Sequence, residues 1–308
     1  MDKPRPCGCK GRRTCIICED VFKLTQDSYT LDPQSPTYVY CPYCNKCYPG
    51  WDMNLYKKHP YHEGEALNYS GIFIKMDFLS SEEHERLIKG IDDMPWDLSQ
   101  SGRRKQNFGP KCNFKKRKIR LGDFGGFPAF SKFVQDKFKT VPMLKNFQTI
   151  EQCSLEYDPE KGASIDPHVD DCWIWGERIV TVNLLSDSVL TLTYNKRPEK
   201  YNLDLVSSYP QVLDYDGDLL NSKNNISFNI EPLNSEIIYP VVRVPMPKYS
   251  LLVMYGNARY NYEHRIFRED ITDRRVCLAY REFTPTYLEN GAYFEEGNLV
   301  TQKAKIYW

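Results

Sequence analysis

The amino-acid sequence predicts a mainly β fold with flanking helices, arranged as a barrel or a double-sheet jelly roll. Aromatic residues, which favour strands, are abundant: the chain of 308 residues has 22 Tyr, 15 Phe and 5 Trp. Short apolar runs recur through the second half of the chain, and such a series of short strands is typical of barrels and jelly rolls. These runs lie at 150–157, 178–186, 188–194, 237–244, 249–255 and 275–283.

Three elements are predicted before this strand-rich region. Residues 72–74, with the sequence Ile-Phe-Ile, predict a strand. Ser80 followed by Glu83 is a capping-box pattern, which predicts a helix through about Ile91. A second helix is predicted near 129–139, ended by the proline that follows it.

Composition divides the chain further. Residues 195–236 are rich in Asn, Ser, Asp and Pro and have weak periodicity, so we expect a long, mobile surface insertion between strands. The predicted division is a Cys-rich head at 1–50, a linker at 51–69, an N-terminal extension at 70–142, a core at 143–285 that contains this insertion, and a tail at 286–308.

Overall charge points to no particular partner, and hydropathy gives no sign of a secretory signal or a membrane span. Lys and Arg total 41 and Asp and Glu total 41, so the net charge favours no particular kind of partner. The N-terminus has no apolar stretch typical of a secretory signal, and no apolar run approaches the ~20 residues that span a bilayer. We therefore expect no membrane partner and a reducing compartment, in which the 11 cysteines are better explained as metal ligands than as disulfides.

The strongest chemical pattern is His168-Val169-Asp170, followed much later by His264. Residues i and i+2 of a strand point to the same side, so His168 and Asp170 can bind one ion together. Two imidazoles and one carboxylate form the facial triad of non-haem Fe(II) sites. An isolated His-x-Asp is usually a surface pair, but Arg275 and Arg281 follow His264, and arginine grips carboxylates. The combination indicates an iron centre with a dicarboxylate cosubstrate.

These residues resemble the AlkB dioxygenase family. The N-terminal half of the family signature resembles the block from Tyr157-Asp158-Pro159 to Pro167-His168-Val169-Asp170-Asp171, and the C-terminal half resembles His264 with Arg275 to Arg281. The similarity is closest to the branch of the fourth animal AlkB homologue, and it covers about residues 7–18 and 70–285. The segments that resemble this branch lie at 7–11, 99–106, 108–111, 165–168 and 175–178.

The resemblance implies a role for each residue of the site. It makes His168, Asp170 and His264 the Fe(II) ligands. It makes Arg275 the partner of the distal carboxylate of 2-oxoglutarate, and it places Arg281 near Asp170 and the metal-proximal carboxylate.

Tyr157 resembles the tyrosine that hydrogen-bonds the cosubstrate, and Asp171 is expected at the mouth of the site, where it could orient ligands or substrate. The sequence departs from the wider family at two positions, because Leu155 and Cys277 stand where the family often has Asn. The spacing from Tyr157 to His168 is also longer than in the bacterial pattern.

The family resemblance implies a double-stranded β-helix core and an enzyme that uses Fe(II), 2-oxoglutarate and O₂. It implies oxidative removal of N-methyl groups, by hydroxylation and release of formaldehyde. The implied substrate is monomethyl-lysine of actin, or 6-methyladenine in DNA. The rival hypothesis is a non-catalytic, zinc-stabilised adaptor with a relic barrel, against which the complete triad and both arginines argue.

The N-terminal cysteines predict structural zinc. Zinc takes four nitrogen or sulfur ligands, so seven cysteines and one of two nearby histidines, His59 and His62, would suffice for two ions. The first four cysteines could close one site, or Cys15 and Cys18 could join Cys41 and Cys44; unliganded thiols in a disordered tail are the plain alternative. The candidate ligands are Cys7, Cys9, Cys15, Cys18, Cys41, Cys44 and Cys47.

Residues 99–121 contain nine Lys or Arg, no acid, and two interleaved phenylalanines, as phosphate contact with base stacking would require. The segment resembles the substrate-recognition lid of AlkB-like enzymes, but a solvated face or a docking surface for an acidic protein such as actin fits equally well. A short basic run at 115–118 could be a nuclear address, so we expect a cytoplasmic and nuclear protein. The candidate substrate-binding residues are Arg103, Arg104, Lys105 and Lys111.

Overall fold

A computed structural model describes residues 4–25, 30–221, 226–230, 234 and 236–308. The strands are β1 (Thr37–Cys41), β2 (Lys46–Pro49), β3 (Leu67–Asn68), β4 (Ile72–Lys75), β5 (Asp97–Leu98), β6 (Arg104–Phe108), β7 (Lys111–Asn113), β8 (Lys118–Arg120), β9 (Glu151–Tyr157), β10 (Ile165–His168), β11 (Trp175–Asn183), β12 (Ser188–Tyr194), β13 (Val241–Met246), β14 (Leu251–Met254), β15 (Tyr262–Ile266) and β16 (Arg275–Phe283). The helices are α1 (Ile16–Phe22), α2 (Ser81–Asp92), α3 (Lys132–Lys137), α4 (Gly256–Tyr260) and α5 (Phe294–Lys303).

Two seven-stranded sheets form the body of the molecule. Sheet A has the strand order β10-β15-β12-β13-β1-β2-β3, and sheet B has the order β4-β14-β11-β16-β9-β6-β5. Strands β7 and β8 form a separate hairpin. Two large sheets with flanking helices confirm the predicted fold class, a jelly-roll core of the double-stranded β-helix type.

The central strands of sheet B, β14, β11 and β16, are buried on both faces. On β16, Cys277 belongs to the apolar cluster shared with sheet A, whereas its neighbours Val276 and Leu278 belong to the cluster shared with α2 and α3. Successive residues of a strand point to opposite faces, so a strand covered on both sides needs an uninterrupted apolar run. This explains why 275–283 was recognisable as a strand without an alternating pattern.

Helix α2 begins as its capping box predicts. The Ser80 hydroxyl accepts from the backbone N–H of Glu83 at 3.1 Å, and the Glu83 carboxylate accepts from the backbone N–H of Ser80 at 2.9 Å. Its apolar face, with Leu87 and Ile91, packs on the outer face of sheet B. The predicted helix at 129–139 is shorter, because only α3 is α-helical and 3₁₀ turns flank it.

The predicted boundary between a head at 1–50 and a linker at 51–69 is wrong. Strand β1 pairs in parallel with β13, Thr37 opposite Val241, so β1 and β2 extend sheet A rather than a separate unit. The supposed linker contains a 3₁₀ helix, Met53–Lys58, and strand β3, which pairs with β2. The reason is burial: Val39 and Tyr40 of β1 are almost fully enclosed by the core.

The insertion and the tail are also more ordered than expected. Leu203 and Val206 of the insertion are buried against Val169 and Tyr260, beside the predicted metal ligands. Residues 222–225, 231–233 and 235 of the insertion lie outside the described residues. In the tail, α5 precedes a backbone link in which Trp308 N–H donates to Phe127 O at 3.1 Å. Among the described residues, no helix combines the length and apolar character needed to cross a membrane.

Candidate active site

His168 and His264 meet because their strands are neighbours. His168 is the last residue of β10 and lies directly opposite His264 of β15, with ring centroids 4.2 Å apart. Asp170 follows two residues later, and its Oδ1 lies 3.7 Å from His168 Nε2. One ligand atom from each of the three residues lies within 4.8 Å of the others. The spacing suits a single metal ion held on one face.

The two imidazoles are prepared for metal binding. The Asp166 carbonyl oxygen accepts from His168 Nδ1 at 2.8 Å, which leaves Nε2 of the neutral ring as a lone-pair donor. His264 Nδ1 is buried and has no hydrogen-bond partner among the described residues. Burial lowers the pKa of both histidines, so both rings are neutral at physiological pH, as a metal ligand requires.

Asp170 is held as a carboxylate by Arg281. Arg281 Nε donates to Asp170 Oδ2 at 2.9 Å and its Nη2 donates to Oδ1 at 3.2 Å. Burial alone would raise the pKa of Asp170, but the positive charge of Arg281 outweighs it and holds the pKa well below its usual range. The third donor of Arg281, Nη1, reaches Glu151 at 2.6 Å. The cation therefore bridges two buried carboxylates.

Two nitrogen atoms of Arg275 have partners in the protein, and the third does not among the described residues. Its Nε donates to Asn183 Oδ1 at 2.8 Å, and its Nη2 lies 3.6 Å from Met246 Sδ. Its Nη1 is buried without a hydrogen-bond partner among the described residues, although the side chain is only 1% exposed. A buried guanidinium is costly without an anion, so this geometry suits the carboxylate of a bound ligand.

Tyr157 lies directly beside Arg275. It lies opposite Arg275 in the pairing of β9 with β16, and the Arg275 guanidinium carbon is 4.7 Å from the centre of its ring. The two positions that depart from the AlkB pattern, Leu155 and Cys277, are likewise direct cross-strand partners. The two departures from the resemblance thus lie at one place in the sheet.

The side chains of the basic segment at 99–121 do not all point the same way, because successive residues along β6 alternate between the two faces of the sheet. The Arg103 guanidinium carbon lies 5.8 Å from the centre of the Tyr157 ring. Arg104 points the other way and binds the buried Glu156, with Nη2 at 2.7 Å from Oε1. Two of its nitrogen atoms are therefore taken up by Glu156, and its assignment as a substrate-binding residue stays a prediction. Lys105 has the same parity as Arg103, whereas Lys111 forms an exposed ion pair with Asp123 at 2.5 Å on the β7–β8 hairpin.

Asp171 faces the insertion. Its carboxylate accepts from the side-chain amide of Asn202, and burial raises its pKa above the usual value. This contact ties the insertion to the turn that carries Asp170. Asp171 therefore lies beside the candidate metal site, and its acceptor atoms are directed toward the insertion.

The first four cysteines form a compact cluster beside the active site. Ligand atoms of Cys7, Cys9, Cys15 and Cys18 lie within 4.8 Å of one another, which favours local closure over the mixed pairing. The surrounding segment docks on the core through ion pairs. Arg13 contacts Asp166 at 3.1 Å, two residues before His168, and Arg268 contacts both oxygens of Glu19 at 2.9 and 2.7 Å.

The prediction that Cys47 belongs to a second metal cluster is wrong. Cys41 pairs with Lys46, so Cys47 lies opposite Tyr40 and points to the other face of the sheet, into the apolar core. His59 and His62 take its place, and their ligand atoms lie within 4.8 Å of those of Cys41 and Cys44.

A cavity of about 340 Å³ opens beside His168. Its wall includes five basic side chains and one acidic side chain, Asp166. The basic residues come from two separate parts of the chain, the Cys-rich segment and the start of the insertion. They are Lys10, Arg12, Arg13, Arg197 and Lys200.

Comparisons with known proteins decide the family. No family model matches the chain. The human alpha-ketoglutarate-dependent dioxygenase alkB homolog 4 is 38% identical over 293 residues, covering 95% of this chain and 91% of the human protein. The chain belongs to the AlkB family of 2-oxoglutarate-dependent dioxygenases. The mouse homologue is 38% identical over 300 residues, covering 97% of this chain and 93% of its own. A DNA N6-methyl adenine demethylase of Caenorhabditis elegans is 29% identical over 305 residues, covering 94% and 91%.

The site of this AlkB dioxygenase fits both groups that such enzymes use. The neutral imidazoles and the ionised Asp170 make a donor set suited to Fe(II). The orphaned Nη1 of Arg275 is the feature expected of a site that receives the carboxylate of 2-oxoglutarate.

Two residues that support this AlkB site were missed in the sequence. Glu151 holds the far side of Arg281, and Asn183 holds Arg275. Both lie on strands that pair with β16 but are far from it in sequence. Glu151 is on β9, opposite Arg281, and Asn183 is the last residue of β11. No local pattern marks them, although a buried acid at the start of an apolar run is an unusual feature that could have drawn attention to Glu151.

Proposed function

We propose that this AlkB-family dioxygenase removes N-methyl groups oxidatively and that its substrate is methylated DNA carrying 6-methyladenine. Two findings support the proposal. The nematode relative is named a DNA N6-methyl adenine demethylase, and the cavity beside His168 is predominantly basic. The basic cavity carries most of the argument, because phosphates are the anions that a DNA substrate brings to such a surface.

In this proposal each residue of the site has a separate task. His168, Asp170 and His264 hold Fe(II), and Arg281 keeps Asp170 ionised and oriented. Arg275 receives the distal carboxylate of 2-oxoglutarate. When bound, Fe(II) and 2-oxoglutarate supply the oxidation of an N-methyl group by O₂ to a hydroxymethyl group, with succinate and CO₂ as co-products; the hydroxymethyl group then leaves as formaldehyde.

We assign substrate binding to the mouth of the site, meaning the basic cavity beside His168, rather than to the whole basic segment at 99–121. Arg12 and Arg13 of the Cys-rich segment and Arg197 and Lys200 of the insertion line the same cavity, so a nucleic-acid backbone would lie against them. A base in a duplex must leave the stack before it can reach the iron, at a cost of a few kcal/mol. Single-stranded DNA is therefore the better substrate.

Zinc in the cluster of Cys7, Cys9, Cys15 and Cys18 is part of the same proposal. This cluster shapes the segment that carries Lys10, Arg12 and Arg13, and that segment has too little apolar sequence to fold without metal. A nuclear as well as cytoplasmic location accords with a DNA substrate and belongs to the proposal too.

A methylated lysine on an acidic protein such as actin is the alternative substrate, because a basic mouth also attracts an acidic surface. The deciding experiment measures formaldehyde and succinate from a 6-methyladenine oligonucleotide and from a monomethyl-lysine actin peptide under identical conditions. His168→Ala serves as the inactive control. Turnover of the oligonucleotide supports the proposal, whereas turnover of the peptide alone overturns it. An active iron site also converts 2-oxoglutarate to succinate slowly when no methylated substrate is present. If folded protein supplied with iron and ascorbate forms no succinate in that test, the non-catalytic adaptor is favoured.

A further inference from the structure

A second cluster of metal-binding side chains lies at the opposite end of sheet A from His168 and His264. We propose that Cys41, Cys44, His59 and His62 form a closed, structural Zn²⁺ site. This site is independent of the oxidation reaction and of the four-cysteine cluster. It fastens strands β1 to β3 onto sheet A.

The turn between β1 and β2 presents both thiols. Cys41 is the last residue of β1, and Cys44 lies in the turn three residues later. Asn45 N–H donates to Cys41 O at 3.0 Å, and Asn45 adopts a left-handed conformation with φ of 56°. The backbone thus folds back so that both sulfur atoms face one point, and Cys-x₂-Cys is the usual spacing of a zinc turn.

The two histidines arrive from the segment that follows β2. The 3₁₀ helix Met53–Lys58 is capped by Asp52, whose side chain accepts from Asn54 N–H at 3.0 Å, and it ends next to His59. Tyr48 stacks on His62 with ring centroids 3.9 Å apart, and Tyr43 lies 5.4 Å from His59. Aromatic packing therefore holds both imidazoles against the turn of the hairpin.

One atom of the cluster points specifically to a ligand. His62 Nε2 is buried and has no hydrogen-bond partner among the described residues. The four ligand atoms lie within 4.8 Å of one another. A tetrahedral zinc, with Zn–S of about 2.3 Å and Zn–N of about 2.0 Å, sets its ligand atoms roughly 3–4 Å apart, so small movements would close the site.

The donor set selects zinc and a structural role. Two thiolates and two imidazoles complete a tetrahedron and leave no open position for substrate. The cluster has no carboxylate, in contrast to the candidate iron site, whose ligand set suits a redox metal with free coordination positions. The two sites therefore differ in chemistry as well as in place.

The position of the cluster defines what the ion would stabilise. Cys41 Sγ approaches Tyr56 O at 4.0 Å, so the hairpin turn and the 3₁₀ helix already touch. Arg243 of β13 stacks on Trp51, with its guanidinium carbon 4.0 Å from the ring centre, just before that helix. An ion held by both segments would fix the pairing of β1 with β13 without contacting the active site.

Zinc content of the full chain, freed of iron and measured by mass spectrometry, tests the proposal. Cys44→Ser and His59→Gln each lose one zinc ion per chain, and neither substitution removes a core side chain, because Cys44 is half-buried and His59 is exposed. The matched control, Cys47→Ala, keeps the wild-type content. Unchanged zinc in Cys44→Ser and His59→Gln, or a loss in Cys47→Ala alone, overturns the site.

A measurement on the wild-type chain needs no substitution. If the first cluster binds through four sulfur atoms and the second through two sulfur and two nitrogen atoms, zinc X-ray absorption gives an average of three sulfur and one nitrogen ligand. Sulfur ligands alone would overturn the proposal. We also expect His59→Gln to lower Tm by about 5 °C while 2-oxoglutarate turnover stays within about twofold of wild type. A fall in turnover with an unchanged Tm would contradict the structural role.

Discussion

Arg281 grips Asp170 with two parallel hydrogen bonds, Nε to Oδ2 at 2.9 Å and Nη2 to Oδ1 at 3.2 Å. The pair joins the segment just after β10 of sheet A to β16 of sheet B. The orientation of a candidate metal ligand next to one sheet therefore depends on a side chain of the other, and Glu151 fixes that side chain in turn.

Arg281→Lys is expected to weaken Fe(II) binding and turnover by about 10–100-fold, because an ammonium cannot replace the planar two-point contact that orients Asp170. Fe(II) titration and succinate formation measure the effect. Arg274→Lys is the matched control, since Arg274 also binds two carboxylates, Asp92 and Glu156, away from the iron ligands. Equal losses in both variants would show that the effect is general rather than local.

Arg275→Gln is expected to raise the Kd of 2-oxoglutarate by about 10–100-fold, because it removes a charged hydrogen bond worth about 1.5–3 kcal/mol. Fe(II) affinity should change little, since Arg275 contacts none of the three candidate ligands. Anaerobic titrations of iron and 2-oxoglutarate separate the two effects. Parallel weakening of both would contradict the assignment of Arg275 to the cosubstrate.

Arg12→Gln and Arg13→Gln are expected to flatten the salt dependence of DNA binding. Each arginine that contacts a phosphate contributes roughly 0.7 to the slope of log K against log salt for single strands. Fluorescence anisotropy with a labelled oligonucleotide measures this slope. Lys111→Gln is the control, because its exposed ion pair with Asp123 lies on the hairpin and not at the mouth. A larger change of this slope in Lys111→Gln than in the two arginine variants would indicate that DNA binds to the basic segment at 99–121 instead.

Glu177 gives a pH-dependent contribution to stability. Burial, with Glu282 nearby, raises its pKa from 4.5 to about 7, although Val212 N–H donates to its carboxylate. The folded state thus binds the proton more tightly than the unfolded state. The resulting stabilisation is fully present below pH 4.5 and is lost as pH rises to about 7.

Glu177→Gln removes this dependence, so the unfolding free energy of the variant relative to wild type should rise by about 3 kcal/mol between pH 4.5 and 7. Thermal unfolding of both proteins across this range, with exposed Glu289→Gln as control, measures the change. A difference between variant and wild type that does not vary with pH would contradict the raised pKa.

Local sequence patterns predicted much of the fold. The Ser80 and Glu83 capping box marked the start of α2, and continuous apolar runs marked the strands of sheet B. The His-x-Asp spacing placed two candidate ligands on one short segment, and the structure brings His264 to them. Their role as iron ligands stays a prediction.

Local patterns were least informative where strand register decides which way a side chain points. Cys47 lies three residues after Cys44, a spacing that suggests a third metal ligand. Its pairing opposite Tyr40, however, directs its side chain into the core. Arg104 belongs to a basic run, but alternation on β6 directs it to Glu156. Glu151 and Asn183 act on residues about 90–130 positions away, which no local pattern reveals.

The parallel pairing of β1 with β13 has a practical consequence for handling the protein. A chain shortened by its first fifty residues would leave Val241 to Arg243 with unsatisfied backbone N–H and C=O groups along an exposed strand rim. Such a rim is a template for self-association, so the shortened protein should aggregate even though every residue of the oxidation site is present.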